Sequence, residues 1–358
     1  MEQILRLGVD LSKRVIQLHG VDAHERVVLR RSLSVDKFPE FMVQLPACLV
    51  AMEACSTAHY WARKLAEFGH TVRLIAPQFV SPYRKSGTTG KNDAADAEAI
   101  CEAASRPTMR FVPAKNAYQQ GIMTLHRMRQ GWIEERTALI NRLRGLLAEF
   151  GVALPQRTTA LQRIPEILED ASNEIPGVAR SALMTGWQHL SVLNERVAEF
   201  DRNIRSHARA DESARRIMEL PGVGALTASA LVAAVGDARD FKNSRQFAAW
   251  LGLTPSQNSS GGKVQLGQIT KRGDGYVRML LIMGARSALL TAPRRDDRLS
   301  RWLLQLEMKV GWRKALVALA NKHARIIWNM LTKKEAFVAN HIPPGFQAKA
   351  MQSITAVA

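Results

Sequence analysis

The first 110 residues alternate between short apolar runs and helix-like segments in an order that few folds accommodate. Three β-type runs come first, and the turn-sized gaps between them predict an antiparallel meander. Helix-like and strand-like segments then alternate. The meander covers residues 4–10, 14–20 and 25–31, and the later segments are a helix at 36–45, a strand at 48–53, a helix at 57–68, a strand at 71–75 and a helix around 93–105. This order predicts a layered α/β domain that ends near residue 110.

Strand signals vanish from about Asn116 to His207, where apolar residues recur at helical spacing, so residues 111–210 are predicted to form a helical coiled-coil linker or oligomerisation arm. One stripe contains Leu139, Leu143, Leu146 and Phe150, and a later one contains Leu183, Trp187, Leu190, Leu193, Val197 and Phe200. The break at "FGVALPQRTT" predicts an antiparallel helical hairpin. The stripes fit both an internal helical bundle and a coiled-coil dimerisation arm, because the period does not say which chain supplies the partner helix.

Residues 211–340 are predicted to form a mainly α-helical domain, and residues 341–358 a tail. The segment "LPGVG" separates two helical stretches and is typical of a helix-hairpin-helix. In that motif, Gly222 and Gly224 would present backbone N–H groups to a phosphate, although a buried turn between helices needs the same glycines. A Gly-rich loop around "TPSQNSSGGKVQLGQITKRGDG" follows, and further basic helices extend beyond it.

The charge balance points to a polyanionic partner. The chain has 50 Lys and Arg against 32 Asp and Glu, a net charge of +18, and residues 221–358 carry 20 of the basic residues but only 7 of the acidic ones. We therefore expect nucleic acid as the partner and the C-terminal part as the cationic surface. The basic residues nearest the Gly-rich loop, which we expect to contact DNA backbone, are Lys263, Lys271, Arg272 and Arg278.

No stretch reaches about 18 uncharged apolar residues, so we expect no membrane association. The three cysteines lack metal-type spacing and predict no disulfide framework. These features predict a soluble cytoplasmic protein, associated with the nucleoid when it is bound to DNA. There is also no Walker-type phosphate loop, so ATP is not expected as a cofactor.

Four acidic residues occupy positions where carboxylates are unusual, at the ends of apolar strands and close together on one helical face. Asp10 and Glu53 each end an apolar strand, and Asp93 and Asp96 share one helical face in "KNDAADAEAI". Taken singly, they fit turns, caps or a solvated helix N-terminus. Taken together, they could hold a pair of Mg²⁺ ions, which prefer oxygen ligands and stabilise both oxygens of a phosphoryl displacement.

The Gly-rich loop also contains adjacent hydroxyls. Ser259 and Ser260 precede two glycines and Lys263 in "NSSGGK". A serine flanked by glycine can approach a backbone phosphate, and nearby cations would stabilise the charge that develops. An ordinary flexible loop has the same composition.

These motifs, in this order, resemble the DEDD-type insertion-sequence transposases, including the RNA-guided "bridge RNA" recombinases. "GVDLSK", "AMEACSTAHYW" and "KNDAADAEAI" resemble the family's RuvC-like domain, which has the RNase H type of fold. "LPGVGALTASAL" and the segment from "FAAWLGL" to "LLIMGAR" resemble its C-terminal transposase domain. The two matches and the helical linker between them cover nearly the whole chain.

The resemblance implies roles for particular residues. The family's acidic tetrad, which binds Mg²⁺, falls on Asp10, Glu53, Asp93 and Asp96. The family's nucleophile, a serine before glycine that becomes joined to DNA, is matched best by Ser260, with Ser259 as the alternative. The resemblance further implies a homo-oligomer, a dimer or tetramer with shared active sites, and a guide non-coding RNA.

Two rival functions are consistent with the same residues. A Holliday-junction-type endonuclease would use the tetrad to activate water and would leave the serine as part of a loop. A non-catalytic nucleic-acid-binding protein would keep the basic surface without the chemistry, and the intact set of four acids disfavours it.

Overall fold

The structure is a computed structural model that describes residues 3–84, 93–259, 261 and 263–340, except for the side chains of residues 93 and 158. The chain forms two compact units. The first comprises the residues up to Gln119 together with Val235–Asp237, and the second comprises Gln120–Ala234 and the residues from Ala238 onward. The N-terminal region is mixed α/β, and the rest is mainly helical.

The first unit has the predicted order of strands and helices. Its strands are β1 (Arg6–Asp10), β2 (Val15–Val21), β3 (Val27–Ser34), β4 (Leu49–Glu53), β5 (Thr71–Ile75) and β6 (Phe111–Val112). Its helices are α1 (Lys37–Gln44), α2 (Ala58–Glu67), α3 (Pro77–Val80) and α4 (Asp93–Ala104), and a 3₁₀ turn spans Ser81–Tyr83. The two-residue strand β6 was not predicted, since it is too short for an alternating pattern.

One sheet organises this unit, with the strand order β3-β2-β1-β4-β5-β6. The meander β1-β2-β3 is antiparallel, whereas β4 and β5 continue the sheet in parallel with β1. Helices α1 and α2 cover one face through Phe38, Met42 and Trp61, and α4 packs on the other face through Ala99, Ile100 and Ala103. Because β1 is covered on both faces, its first four residues are all buried.

The predicted helical hairpin consists of α5 (Ala117–Ala148) and α7 (Gly177–Ala210). The short helix α6 (Ile164–Glu169) and a 3₁₀ turn at Thr158–Arg163 lie between them. The apolar stripes pack against each other within the chain, in a core that contains Leu139, Leu143, Leu147, Leu183, Leu190 and Leu193. The predicted stripe was wrong at one position, because Leu146 is 41% exposed whereas its neighbour Leu147 is fully buried.

The remaining helices are α8 (Glu212–Ile217), α9 (Ala225–Val235), α10 (Ser244–Trp250), α11 (Gly275–Thr291), α12 (Arg298–Val310) and α13 (Trp312–Lys333). Side chains of Asn243, Asp274 and Asp297 accept backbone hydrogen bonds at the starts of α10, α11 and α12. The predicted Gly-rich loop contains a small hairpin of β7 (Pro255–Gln257) and β8 (Leu266–Ile269). Among the described residues, no helix is long and apolar enough to cross a membrane.

Candidate active site

A glycine lets helix α4 lie directly on strand β1. A Cβ atom on Gly8 would lie 2.2 Å from the carbonyl oxygen of Ala97 and 2.7 Å from the backbone nitrogen of Cys101, so only glycine fits. Arg6 is on the same face of the strand and donates from Nε to the Cys101 carbonyl at 2.9 Å. Since side chains alternate along a strand, Asp10 also belongs to the face that α4 covers.

The neighbouring strand brings a second acid to this face. Strands β1 and β4 are parallel, with Val9 opposite Met52, so the next residues along, Asp10 and Glu53, end adjacent strands at the same edge. Ala51, two residues before Glu53, packs in the cluster formed with α4. The alternation therefore assigns Asp10 and Glu53 to one face and one edge of the sheet.

The start of α4 lies at the level of these strand ends. Two strand residues advance about 6.6 Å and four helical residues about 6 Å, so each two residues of β1 cover about the same length as four residues of α4. Gly8 lies beside Ala97. The same spacing brings Asp10 to the first turn of α4, which contains Asp93 and Asp96. The side chain of Asp93 lies outside the described part of the chain, whereas Asp96 is described and buried.

An arginine joins two of the predicted acids. Arg84 Nη2 lies 3.3 Å from Glu53 Oε2, and Arg84 Nε lies 2.7 Å from Asp96 Oδ1. The second contact is an ion pair without hydrogen-bond alignment, because Nε is buried and has no hydrogen-bond acceptor in line with its N–H. The Asp96 side chain is only 10% exposed and that of Glu53 23%. One guanidinium thus forms ion pairs with two carboxylates that converge from β4 and α4, and the three groups together keep one net negative charge.

The donor set suits a hard divalent cation. Asp10, Glu53 and Asp96 offer only carboxylate oxygens, the donors that Mg²⁺ prefers. Within the side chains that the structure describes, no three His, Cys, Asp or Glu residues are close enough to hold a metal ion. The guanidinium of Arg84 nevertheless marks a point at which two of the acids contact one cation, and their oxygens are the donor type that the predicted metal prefers.

The predicted serine loop connects β7 to β8. Ser259 Oγ accepts hydrogen bonds from the backbone N–H of Gln265 at 3.2 Å and from Gln257 Nε2 at 2.9 Å, so this hydroxyl joins the two sides of the hairpin. Ser260 lies outside the described residues. Gly261, which follows it, has a φ of +56° and is exposed. Lys263 is exposed three residues before β8 begins.

The basic residues after the hairpin divide into two kinds. Lys271 and Arg272 have exposed side chains on a turn whose backbone is fixed, since a Cβ on Gly252 would lie 2.1 Å from the Arg272 carbonyl oxygen. Arg278 is half-buried and donates from Nη1 to the Leu251 carbonyl at 3.1 Å. Part of its donor capacity therefore serves the fold, whereas the other two side chains are accessible.

The two glycines of "LPGVG" have different surroundings. Gly222 has a φ of +82°, and a Cβ there would lie 2.2 Å from the carbonyl oxygen of Gly284 in α11. Packing alone accounts for glycine at that position. A Cβ on Gly224 would meet no atom within 4 Å, so its surroundings are open.

Sequence reasoning missed a buried polar chain in the second unit. His126 has no exposed surface, and its two ring nitrogens lie 3.0 Å from Tyr276 Oη and 3.1 Å from Ser229 Oγ. Burial, and secondly the nearby Arg129, lowers the pKa of His126 to about 4. This histidine is therefore neutral at physiological pH and joins α5, α9 and α11.

Arg84 and Gly8 were missed as well. No pattern in "SPYRKSG" relates Arg84 to the distant acids, because the contact depends on tertiary structure. A glycine inside the apolar strand "RLGVD" was a usable signal, since such a glycine often marks a close approach of another backbone.

Comparison with known proteins assigns the chain to one class of enzyme. Residues 7–151 match a family model described as "Transposase" for DEDD proteins of the IS110 type, and residues 214–300 match the "Transposase IS116/IS110/IS902 family". The chain belongs to this family of DEDD-type insertion-sequence transposases. Membership implies an enzyme that cleaves and rejoins DNA.

Several relatives resemble the chain over nearly their full length. A "Probable family 20 transposase" of Pseudomonas aeruginosa is 48% identical over 334 residues, 93% of this chain and 98% of the relative. The "Transposase for insertion sequence element IS1111A" of Coxiella burnetii is 40% identical, covering 94% and 92%. The corresponding protein of element IS1328 from Yersinia enterocolitica is 38% identical, covering 94% and 99%.

Proposed function

We propose that this transposase is a Mg²⁺-dependent DNA recombinase that uses a serine nucleophile. The observation that carries the proposal is the convergence of Glu53 and Asp96 on one cation, Arg84, beside the strand end that contains Asp10. Carboxylates brought together in a protein of net charge +18 serve no evident purpose in holding DNA, which they would repel. They do suit a cation that itself attracts phosphate.

The proposed N-terminal domain is of the RNase H/RuvC-like type. A three-stranded antiparallel meander, continued by parallel strands and covered by helices on both faces, supports this assignment. The proposed functional division is residues 1–110 for metal-dependent catalysis, 111–210 for the linker arm and 211–340 for the serine-bearing domain. Residues 341–358 would be a tail.

The four acids would hold the metal. Asp10, Glu53, Asp93 and Asp96 would bind two Mg²⁺ ions, which when bound supply charge stabilisation at a phosphate. In the proposed reaction, Ser260 Oγ forms a bond to phosphorus while the bond between phosphorus and a deoxyribose oxygen breaks. The serine proton passes to that oxygen, which leaves as a hydroxyl. Attack by a hydroxyl of another strand then releases Ser260 and seals the exchanged ends, so no external energy source is needed.

The geometry of the serine loop supports Ser260 over Ser259. The Ser259 hydroxyl already accepts two hydrogen bonds that close the hairpin, and attack on phosphorus would require it to leave them. Lys263, Lys271 and Arg272 are exposed on the same loop and the turn after it, where they could contact DNA phosphates. The open surroundings of Gly224 allow a phosphate contact more readily than those of Gly222.

The further partners proposed follow from the family resemblance. They are element and target DNA, a guide non-coding RNA and other copies of the chain as a dimer or tetramer, in a cytoplasmic, nucleoid-associated protein. The basic excess is compatible with both nucleic acids. Sequencing the RNA that co-purifies with the protein would test the guide, and an RNA of defined length is the expected result.

The central experiment compares strand cleavage and adduct formation in matched variants. Asp96→Asn should abolish cleavage of element DNA while nucleic-acid binding persists. Glu102→Gln is the control, because Glu102 is also on α4 but pairs with the exposed Arg106. Wild-type protein should yield a covalent DNA adduct at Ser260. Cleavage without any adduct would instead identify a water-using nuclease, and cleavage by Asp96→Asn would refute the acid site.

A further inference from the structure

Arg84 occupies the place that the proposed metal would need. Its guanidinium contacts Glu53 and Asp96 through two different nitrogens, at 3.3 and 2.7 Å. The side chain is 36% exposed, so water reaches it from one side. It extends from the residue directly after the Ser81–Tyr83 turn, and it is therefore attached to neither β4 nor α4, whose acids it joins.

Arg84 and a divalent cation would compete electrostatically for the same two acids. Without a cation, Glu53 and Asp96 would repel each other in a site that is mostly removed from water. The guanidinium relieves that repulsion. A divalent ion bound by the same oxygens would in turn repel the guanidinium at these distances. Binding of one cation therefore disfavours binding of the other, and the guanidinium, which is 36% exposed, can move toward water.

We propose that Arg84 is a built-in counter-cation that holds Glu53 and Asp96 together in the metal-free protein and is displaced when a divalent cation binds. This inference rests on the proposed function, since it concerns the same acids. Metal must then compete with an ion pair that the chain supplies. Arg84 acts through the acids as a positioning residue, and the site's affinity for metal is weaker than the acids alone would give.

The geometry of the two contacts requires an arginine and cannot be reproduced by a lysine. The guanidinium reaches Glu53 with Nη2 and Asp96 with Nε, which are fixed relative to each other in one plane. A lysine has one ammonium nitrogen and cannot make both contacts in the same way. Arg84→Lys should therefore retain only part of the competition with metal.

The test measures Mn²⁺ binding to the full chain by calorimetry and by electron paramagnetic resonance, with no DNA present. Arg84→Gln should bind Mn²⁺ about fivefold to tenfold more tightly than wild type, the effect expected from removing the two partly exposed ion pairs of Arg84. Arg84→Lys should be intermediate. Lys64→Gln is the control, because it removes a cation from an exposed pair with Glu67 in the same unit, and its affinity should equal that of wild type.

Thermal melts give a second readout that does not depend on activity. Without metal, Arg84→Gln should melt at a lower temperature than wild type, because Glu53 and Asp96 lose the cation that joins them. Saturating Mn²⁺ should remove that difference. Arg84→Lys keeps the charge and provides a folded comparison if Arg84→Gln melts too low to assay.

The outcomes distinguish this inference from the proposed function. If wild type and Arg84→Gln bind Mn²⁺ equally, or Arg84→Gln binds it more weakly, the counter-cation role is refuted while the metal site stands. If neither protein binds Mn²⁺, or if Glu53→Gln leaves binding unchanged, the acids are not the metal site. In that case the proposed function and the Arg84 inference both fail.

Discussion

Gly222 and Gly284 touch backbone to backbone: a Cβ on either residue would lie 2.2 Å from the carbonyl oxygen of the other. The first belongs to the turn before α9 and the second to the middle of α11. The turn that was predicted to bind phosphate therefore also packs directly against helix α11 within the second unit. No side chain larger than hydrogen fits at either position without parting the turn from the helix.

This contact reverses the usual effect of replacing a glycine within a helix. Alanine normally stabilises a helix interior by about 0.5–1 kcal/mol relative to glycine. Gly284→Ala should instead lower the free energy of unfolding by roughly 1–3 kcal/mol, the range for an overpacked contact. Tryptophan fluorescence during denaturation reports this unit, since six of the seven tryptophans lie in it.

Gly131 provides the matched control for that measurement. It lies inside α5, and a Cβ there would meet no atom within 4 Å. Gly131→Ala should therefore raise the free energy of unfolding by about 0.5–1 kcal/mol, the ordinary difference in helix propensity between alanine and glycine. Equal effects of the two alanines would mean that the contact between Gly222 and Gly284 is not tight in solution.

A second prediction concerns the contact between β1 and α4. Gly8→Ala would place a Cβ 2.2 Å from the Ala97 carbonyl oxygen, an atom that no side-chain rotation can move. Helix α4 must then shift away from the strand and carry Asp96 away from Glu53. We expect loss of DNA cleavage, and a lower melting temperature, although no charged residue has changed. Normal cleavage by Gly8→Ala would show that the acids do not depend on this contact.

The strands and helices of the first unit could be predicted because apolar residues recur at a different spacing in each type of element. Apolar runs ended at Asp10 and Glu53, and parallel pairing then brought those strand ends together. Arg84 could not be found in this way, because its contacts join residues that are 31 and 12 positions away along the chain and follow no period. Sequence patterns predict elements better than they predict side chains that join them.

The helical arm shows where periodicity fails by one residue. The prediction placed Leu146 in the core, yet Leu147 is the buried residue, at steps of four from Leu139 and Leu143. Steps of three and four describe equally regular helical faces, and only the position of α7 selects between them. The hairpin β7–β8 was missed for a simpler reason, since strands of three and four residues show almost no alternation.

A third prediction uses the acid sensitivity of His126. Its pKa is lowered to about 4 in the folded protein, whereas an unfolded histidine titrates near 6.5. Between these values the unfolded chain binds a proton that the folded chain does not. The free energy of unfolding should therefore fall as pH decreases from about 6.5 to 4, by roughly 3 kcal/mol in total from this residue.

Urea denaturation at pH 7 and pH 5 would measure that dependence. His126→Gln removes the titrating group and should lose less stability between the two pH values than wild type does. His189→Gln is the control, because His189 is exposed beside Glu135. It should retain the wild-type dependence on pH, and an unchanged dependence in His126→Gln would contradict the assignment.

The last prediction distinguishes the two adjacent serines by their roles, hydrogen bonding within the hairpin for Ser259 and attack on phosphorus for Ser260. Ser259 Oγ accepts hydrogen bonds from Gln265 and Gln257, so Ser259→Ala should loosen the hairpin and slow recombination without abolishing the covalent adduct. Ser260→Ala should abolish both, because in-line attack needs an oxygen about 3 Å from phosphorus. Gln257→Ala removes one of the same hairpin hydrogen bonds and leaves both serines in the sequence, so it should reproduce the modest defect of Ser259→Ala. Mass spectrometry of the trapped adduct identifies the linked residue directly, and a phosphoserine at Ser259 would reverse the assignment.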